Sequence, residues 1–489
     1  LVLGACSDLA EDTDGGIKDD GSVPQDQGPV PEGIKIGLKP GDKIVADFTA
    51  GSEEYLVIPY SPSTVAASDI SFEIKLTAGG SGSDGGLGSS TFKVRTRRHL
   101  PLILRNPALY ARWQQRLAVE RWQRRLAEQA ASLEQVDLNA PMRKIANCAK
   151  SSECSAGEVC SGGTCASTLK INVAAFATGG GTIDVDVKKK GARVAILVDK
   201  SDSVSQTDID ALADKFDNLI YKRDVALFGN PKLKSSGDQL SSDRNNDGLI
   251  WIVVTSKVAD KNAVGFFVPI DFVPKSQDAK SNEADILYMD ASLDLNKAYA
   301  TACHEFQHLL NYAVKVYKPS VNGGSGGLEA LWLDEGQAHF AEDACGYGGE
   351  NVTVLDQEVF TSFETTTMFS TQDSVAMRGM ALLFVRYLFE RAGGVTYKSD
   401  GSITDTGGAA LLQKIRGSSK TGVDAVVEAN GEYKQSFDRW IAAVGLDGRG
   451  VTTDSRFKYD ELTSDPITGN KIGIKIRGKR VDDTGATVD

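Results

Sequence analysis

Histidine is scarce in this chain, with 4 residues among 489, and only 7 cysteines are present. No uninterrupted stretch of about 18 apolar residues occurs, so the sequence predicts no membrane-spanning helix. Basic residues are in the minority, and the formal net charge is −12. This acidic balance disfavours nucleic acid as a partner. No internal repeat of domain-building length is present, and the sequence makes no prediction about the oligomeric state.

Two of the four histidines stand together in the sequence HEFQH, at His304 and His308. Residues four apart lie on one face of a helix, so both imidazoles can reach one metal ion. Glu305 is rotated by about 100° from His304 around the helix, so it can approach a metal-associated water without being a ligand. The pattern predicts one zinc ion held by the two histidines, with Glu305 as general base. A chance match on a core helix is the alternative.

A hydrolytic zinc site usually has three protein ligands and one water. Residues 331–343 have helical periodicity and carry Glu335, and a second helix bearing a glutamate is the glutamate-zincin arrangement. We predict Glu335 as the third ligand. Glu329 is its rival because its spacing from His308 is closer to the common one. The glycine-rich residues 322–327 can supply the extra loop that Glu335 requires.

The segments HEFQHLLNY at 304–312 and WLDEGQAHFAED at 332–343 resemble the hyicolysin family of secreted bacterial zinc metallopeptidases. Weaker similarity extends over roughly residues 190–450. The resemblance implies a zinc-dependent endopeptidase that acts on polypeptides, with Glu335 as the third ligand. It also implies an α+β fold, in which a zincin-like catalytic domain combines a mixed sheet with a helical half.

Two positions depart from the family pattern. His339 stands where the family tends to have an acidic residue, and Arg378 stands where it tends to have tyrosine. Both are candidates, with Tyr347, for the donor that stabilises the oxyanion of the transition state. His339 can instead hold a ligand in place from behind. An alternative function is a surface lipoprotein that keeps the peptidase scaffold as a binding module without turnover. The intact Glu305 argues against it, because a binder needs no general base.

Four cysteines lie within a short glycine-rich segment at 145–167, which has too few apolar residues for a core of its own. Two disulfides in an oxidising compartment are the expected solution, and a zinc knuckle is the alternative. Three connectivities are open, and similarity to other small two-disulfide modules favours Cys148–Cys160 with Cys154–Cys165. The remaining pair, Cys303 and Cys345, is expected to form a disulfide that ties the two ligand-bearing helices together; free buried thiols are the alternative.

The first six residues resemble the end of a signal peptide with a bacterial lipobox, in which Cys6 becomes the lipid-modified residue. Residues 7–33 are rich in Asp, Gly and Pro and predict a disordered acidic tether. The expected location is outside the cytoplasm, lipid-anchored at the bacterial cell envelope or cell surface. An ordinary cysteine on a short apolar tail is the alternative.

Alternating apolar residues over 34–95 predict a small β-sandwich, which packs on the catalytic domain or binds substrate. Residues 96–140 predict an arginine-rich helix from about Pro107, with nine arginines between Arg95 and Arg125. Three interpretations of this helix remain open: it is a solvated connecting helix, a helix that lies on a membrane surface, or a cleavable pro-segment. The catalytic domain follows, with its sheet half at 168–327, its helical half at 328–450, and a C-terminal extension at 451–489.

The loop at Asp243, Asn245 and Asp247 has oxygen-bearing side chains at alternate positions, as in an EF-hand loop. No glutamate stands at the twelfth position of this loop. The pattern leaves two possibilities, a second site for calcium and a tight turn before a buried strand.

Overall fold

The computed structural model describes residues 107–133 and 148–476, except for 293, 350, 352–358, 360–366, 370–372, 432, 449 and 451, and five short strands outside these ranges. Three of these strands are β1 (Val2–Ala5), β2 (Lys35–Leu38) and β3 (Val57–Tyr60). β1 pairs in parallel with both of the others. Cys6, the predicted tether at 7–33 and most of the predicted β-sandwich lie outside the described residues.

The arginine-rich segment forms the long helix α1 (Pro107–Ser132), which begins at proline as the sequence predicts. One side of α1 is buried and includes Trp113, Leu117, Ala127 and Ala130. The opposite side carries exposed residues such as Arg121. The helix is therefore docked along its length on the rest of the molecule.

The cysteine-rich segment is a hairpin of β4 (Val159–Ser161) and β5 (Thr164–Ala166). Disulfides join Cys148 to Cys160 and Cys154 to Cys165, which is the pairing that similarity favoured. Lys190 Nζ holds the module against the adjacent sheet by donating to three backbone carbonyls, those of Ser151, Cys154 and Ser155, at 2.8–3.0 Å.

A six-stranded mixed sheet follows, as predicted for residues 168–327. Its strands, in chain order, are β6 (Thr168–Asn172), β7 (Thr182–Lys190), β8 (Val194–Asp199), β9 (Ile250–Val254), β10 (Gly265–Phe267) and β11 (Ile286–Met289). The spatial order is β10-β11-β9-β8-β7-β6. The central strands β8, β9 and β11 are parallel neighbours and are buried at every residue. Such continuous burial requires apolar runs without alternation, and Ile-Trp-Ile-Val-Val in β9 is one.

Most of the helices follow the six-stranded sheet in the chain. In chain order they are α2 (Gln206–Lys215), α3 (Tyr221–Phe228), α4 (Leu295–Tyr312), α5 (Lys318–Val321), α6 (Leu331–Ala344), α7 (Val375–Arg391), α8 (Gly408–Gly417), α9 (Gly422–Asn430) and α10 (Tyr433–Leu446). α2 continues into α3 through a π-helical turn at Phe216–Ile220. The predicted helices near 375–392, 408–416, 421–429 and 434–445 are all present.

Short antiparallel pairs complete the fold: β12 (Val395–Tyr397) with β13 (Ile403–Asp405), β14 (Thr463–Ser464) with β15 (Lys471–Ile472), and β16 (Arg480–Val481) with β17 (Thr487–Val488). One hydrophobic core connects the six-stranded sheet with the helices that follow it. The chain therefore has an α+β fold with a mixed sheet and a helical half. In the part of the chain described, no helix combines the length and the apolar character needed to cross a membrane.

Gly336 determines how closely α6 approaches α7. A Cβ atom at this position would lie 2.9 Å from the carbonyl oxygen of Ala381 and 3.0 Å from its carbonyl carbon. Only glycine allows this backbone contact without displacement. Because Gly336 directly follows Glu335, this close contact between α6 and α7 fixes the position of Glu335 relative to its neighbours.

Candidate metal centre

His304 and His308 stand one turn apart in the middle of α4, and Glu335 reaches them from α6. The Nε2 atoms of the two histidines are 3.0 Å apart. Glu335 Oε2 lies 3.7 Å from the first and 3.8 Å from the second. The three side chains predicted as ligands are therefore brought together with one donor atom each turned towards a common point.

The donor triangle fits a zinc ion. Zinc takes nitrogen and oxygen ligands at about 2.0–2.2 Å in tetrahedral geometry, which places the donors about 3.4 Å from one another. Glu335 Oε2 is buried and faces the Arg378 guanidinium, whose Nη1 lies 2.8 Å away. Burial raises the pKa of Glu335 well above its ordinary value, and the carboxylates of Asp373 and Asp334 raise it further. A cation bound in the triangle would offset this cost.

Two carboxylates hold the histidines from behind. Glu342 Oε1 lies 2.7 Å from His304 Nδ1, and Asp334 Oδ1 lies 3.2 Å from His308 Nδ1. A metal-binding histidine characteristically donates its second ring N–H to a carboxylate, which fixes the tautomer and turns Nε2 to the metal. Both carboxylates come from α6, as Glu335 does. Sequence reasoning missed these roles, although Glu342 is spaced to share a helix face with Glu335.

Electrostatics favour a neutral ring at His304. Burial holds the pKa of His304 well below its ordinary value, and the Arg116 guanidinium lowers it further. The neutral imidazole is the form that binds metals. At His308, burial also opposes the charged form, but Asp334 raises the pKa of the ring above its ordinary value. Metal binding at His308 therefore competes with a proton.

Glu305 lies beside the triangle without belonging to it. Its Oε2 accepts hydrogen bonds from the backbone N–H of Phe267 at 3.0 Å and from Gln123 Nε2 at 2.7 Å. Burial raises the pKa of Glu305 above its ordinary value. The structure thus places the predicted base at the end of the edge strand β10, next to the histidines.

Glu329, the rival ligand, is engaged elsewhere. Its Oε1 accepts from the backbone N–H groups of Ala330 at 2.8 Å and Gly422 at 2.6 Å. Its Oε2 lies 3.1 Å from Lys315 Nζ. Among the described residues, the groups that could hold a metal ion do not include Glu329. Glu335, in contrast, groups with His304 and His308.

Arg378, on α7, lies directly at the triangle. Its Nη1 is 2.8 Å from Glu335 Oε2 and is ion-paired with Glu120 of α1. Asp373 holds the other side of the guanidinium through two hydrogen bonds, at 2.7 and 2.8 Å. Burial lowers the pKa of Arg378 and raises that of Asp373 to about 7. Arg378 is therefore a buried guanidinium next to Glu335.

His339 and Tyr347 lie further away. His339 Nδ1 is 3.1 Å from Glu342 Oε1, and its ring packs 4.8 Å from that of His304. It thus contacts the site through Glu342, behind the first histidine. Tyr347 packs on Tyr299, with 5.4 Å between ring centroids. Neither position matches a donor aimed at the open side of the triangle.

Helix α1 covers that open side, which the sequence did not reveal. Glu120 Oε1 lies 3.6 Å from His304 Nε2, and Arg116 Nη2 contacts both His304 Nδ1, at 2.9 Å, and Glu342. The cleft beside the site, of about 510 Å³ counting its open mouth, is walled by α1 on one side and by α4 and α6 on another. The spacing of Arg116, Glu120 and Gln123 places them on one helix face.

The predicted calcium loop is a tight turn. Asp247 Oδ2 accepts hydrogen bonds from Trp251 Nε1 and Ser151 Oγ, each at 2.8 Å, and Oδ1 accepts from Leu249 N at 2.9 Å. Asn245 Oδ1 accepts from the backbone of Asp247, and Asp243 Oδ2 from that of Gly248. These oxygens serve the turn and the disulfide module. The calcium alternative finds no support among the described residues.

The expected bridge between Cys303 and Cys345 is not formed, and both thiols are free and fully buried. Burial raises the pKa of Cys303 well above its ordinary value, and the contact with Cys345 raises it further. Cys345 Sγ also donates to Asp224 Oδ1 at 3.6 Å. A disulfide forms by attack of a thiolate, and burial disfavours the thiolate form of Cys303.

A curated protein with detectable similarity is the neutral metalloprotease ShpI of Staphylococcus hyicus, which is 29% identical over 142 residues. The match covers 27% of this chain and 29% of that protein, so the chain spans less than a third of the length of this relative. No protein-family model matches the chain. The similarity supports a distant relationship to metallopeptidases.

Proposed function

We propose that this protein is a zinc-dependent endopeptidase of the hyicolysin-like, glutamate-zincin type. The observation that carries the proposal is the triangle of His304 Nε2, His308 Nε2 and Glu335 Oε2, with sides of 3.0, 3.7 and 3.8 Å. A carboxylate that is not a ligand, Glu305, stands beside it. The weak similarity to a metalloprotease supports the same reaction class.

Zinc, when bound, would supply a Lewis acid that polarises the scissile carbonyl and acidifies a water. Glu305 then accepts a proton from the attacking water and delivers it to the nitrogen of the leaving amine. The backbone N–H of Phe267 fixes Oε2 of this base. The raised pKa of Glu305 brings its proton affinity closer to that of a base working near neutral pH.

Arg378 is our candidate for the donor that stabilises the oxyanion. Its Nη1 lies 2.8 Å from Glu335 Oε2, so a group held next to Glu335 is within its reach. A fixed cation in a buried site stabilises developing negative charge more strongly than a neutral donor does. His339, which contacts Glu342, is better suited to positioning His304 than to contacting substrate.

The substrate we propose is an extended polypeptide. Strand β10 (Gly265–Phe267) is the outermost strand of the sheet on the side of the site. Its last residue, Phe267, contacts the general base. An edge strand binds extended segments by adding them to the sheet, and a folded protein seldom offers such a segment. Unstructured proteins are therefore the expected substrates.

A binding module without turnover is the second candidate. Arg378 in place of tyrosine and the cover provided by α1 favour it. The hydrogen-bonded Glu305, which a binder does not require, favours the peptidase.

We also propose that the chain is exported and anchored through a lipid on Cys6. The acidic segment 7–33 would serve as the tether between lipid and folded body. The two disulfides of the cysteine-rich module suit an oxidising compartment.

The test of the peptidase is Glu305→Gln, compared with wild type on casein or another unstructured protein. The variant should fold and bind zinc but lose at least about 10²-fold in turnover, because general-base catalysis contributes on that order. A chelator should abolish the wild-type activity. If zinc-loaded wild type cleaves no unstructured protein under any activating condition, the binding module becomes the better reading.

A further inference from the structure

The cleft beside the metal centre runs along one face of α4. His308, Asn311 and Lys315 line it at spacings of three and four residues, which places them on that face. Gln123 of α1 and Glu329 line it as well. Asn311 is 3% exposed, Gln123 is 7% exposed and Glu329 is 2% exposed. The cleft therefore begins at His308 and continues past three buried polar side chains.

Asn311 offers a hydrogen-bond acceptor that has no donor. Its Nδ2 donates to Asp334 Oδ1 at 2.6 Å, and the same oxygen lies 3.2 Å from His308 Nδ1. A carboxylate oxygen in this position accepts, so the nitrogen of the Asn311 amide must face it and Oδ1 is turned away. Asn311 Oδ1 is buried and has no hydrogen-bond partner. A buried acceptor without a donor is unfavourable, so a donor from a ligand would stabilise it.

Gln123 offers a second acceptor of the same kind. Its Nε2 donates to Glu305 Oε2 at 2.7 Å and to the carbonyl oxygen of Phe267 at 3.2 Å. Both partners only accept, so the orientation of the amide is fixed and Oε1 is its other end. Gln123 Oε1 is also buried without a hydrogen-bond partner. Two amides that line the same cleft thus each have an unused carbonyl oxygen.

Glu329 supplies a carboxylate oxygen with unused capacity. Its Oε2 lies 3.1 Å from Lys315 Nζ. That ammonium also donates to three backbone carbonyls at 2.6–3.2 Å, those of Ile415, Ser418 and Lys420. An ammonium has three protons, so four acceptors share them and Glu329 Oε2 can accept a further donor.

The positive charges at the cleft are already engaged. Arg124 lies 3.4 Å from Glu128, on the exposed side of α1, and donates to the carbonyl oxygen of Glu329 at 2.7 Å. Lys315 is held by the carbonyls described above. Burial nevertheless raises the pKa of Glu329 above its ordinary value, so Lys315 does not fully offset the cost of its charge. A cationic donor in the cleft would offset more of it.

We propose that this cleft is a specificity pocket for a lysine or arginine side chain next to the scissile bond, with acceptors on Glu329, Asn311 and Gln123. The proposal rests on the peptidase function given above. Lysine carries three donors and arginine five, and neither side chain carries an acceptor, which matches a pocket that lacks donors. Tyr312 and Val316 provide apolar surface for the aliphatic stem of such a side chain.

The first test compares short peptides that differ at one position, which is lysine in one and norleucine in the other. Norleucine keeps the aliphatic stem and lacks the ammonium. Zinc-loaded wild type should cleave the lysine peptide with a kcat/KM at least about tenfold higher, because a hydrogen bond to a charged group contributes on that order. Cut sites in casein, mapped by mass spectrometry, should adjoin lysine or arginine.

Glu329→Gln should bring the ratio of the two kcat/KM values close to one, because the variant removes the charge that faces the ammonium. Glu461→Gln is the matched control and should keep the wild-type ratio, because Glu461 is 79% exposed, pairs with Lys475 and does not line the cleft. If Glu329→Gln fails to fold, Asn311→Ala removes another acceptor and should lower the same ratio. Since both peptides are compared on one variant, a general loss of metal or turnover cancels.

Peptide binding to Glu305→Gln, measured by fluorescence anisotropy, separates the pocket from the peptidase. Tighter binding of the lysine peptide with no cleavage by wild type supports the pocket and counts against the peptidase. Equal cleavage of both peptides overturns the pocket and leaves the peptidase standing. A lysine preference that survives in Glu329→Gln and in Asn311→Ala overturns the assignment of the pocket to these residues, and so does the absence of both binding and cleavage.

Discussion

The choice between Glu335 and Glu329 turns on what each carboxylate contacts. Glu335 faces two imidazoles and the Arg378 guanidinium, whereas Glu329 is held by Lys315 and two backbone amides. Neutralising each tests the assignment. Glu335→Gln should lower zinc affinity at least about tenfold.

Glu329→Gln, the matched control, should leave zinc affinity close to that of wild type. The Glu329→Gln substitution should instead lower the free energy of unfolding, because Lys315 loses a buried partner. Zinc content by mass spectrometry and chemical denaturation measure the two effects separately. Zinc retained in Glu335→Gln but lost in Glu329→Gln would reverse the assignment.

At the residue scale, the sequence predicted that His304 and His308 face one common point, because their spacing on one helix is a local property. Four positions along a helix are enough to bring two imidazoles together, and the adjacent base follows from the same geometry. The roles of Asp334 and Glu342 were not predicted, because they depend on how α6 packs against α4. That Cys303 and Cys345 are free thiols was not predicted for a related reason. Proximity of two cysteines does not reveal whether a thiolate can form.

At the element scale, the contact between α6 and α7 controls the position of Glu335. Gly336→Ala would place a Cβ 2.9 Å from the carbonyl oxygen of Ala381, so the helices must separate. We expect a loss of about 1–3 kcal/mol in the free energy of unfolding, typical of an overpacked core. Zinc affinity should fall too, because Glu335 moves with its neighbour.

Gly417→Ala is the control for that substitution. Gly417 ends α8, and a Cβ at this position would meet no atom within 4 Å. This variant should match wild type in thermal unfolding and in zinc titration. Equal behaviour of the two variants would show that the close contact at Gly336 does not control the ligand.

Helices and strands were predictable where the sequence pattern is compatible with only one type of secondary structure. Apolar runs bounded by polar residues gave the buried strands β8, β9 and β11, and the helices after residue 375 followed from their periodicity. The docking of α1 was not predictable. Its sequence defines a face with Trp113 and Leu117, but periodicity does not reveal which surface that face meets.

At the scale of the whole molecule, buried carboxylates couple stability to pH. Asp271 accepts hydrogen bonds from Tyr288 and Asn282, and burial raises its pKa to about 7. Between about pH 4 and that value, the folded protein keeps a proton that the unfolded chain releases. The contribution of Asp271 to the free energy of unfolding therefore falls as pH rises through this window.

Asp271→Asn removes that dependence while keeping an acceptor for Asn282 and a partner for Tyr288. The free energy of unfolding of wild type minus that of the variant should decrease between about pH 4 and about pH 7 and stay constant above. Urea denaturation of the metal-free proteins across this range measures it. Parallel curves for both proteins would show that Asp271 does not carry the effect.

The proposed anchor can be tested on the exported protein, expressed behind a complete signal sequence. Cys6→Ala should release it from membranes, because the lipid on Cys6 would be the principal attachment. The arginine-rich α1 offers a competing attachment, but charge interactions fall off beyond about 8 Å at physiological ionic strength. Membrane association that survives Cys6→Ala and is removed by salt would identify α1 as the anchor instead.

The hydrogen bond between Gln123 and Glu305 spans 182 residues, whereas that between His304 and Glu342 spans 38. Closing a loop costs entropy that grows with the logarithm of its length, so the longer loop costs about 1.4 kcal/mol more than the shorter. Helices α4 and α6 therefore meet about ten times more readily than α1 docks on them. During folding, we expect His304, His308 and Glu335 to come together before α1 closes over them.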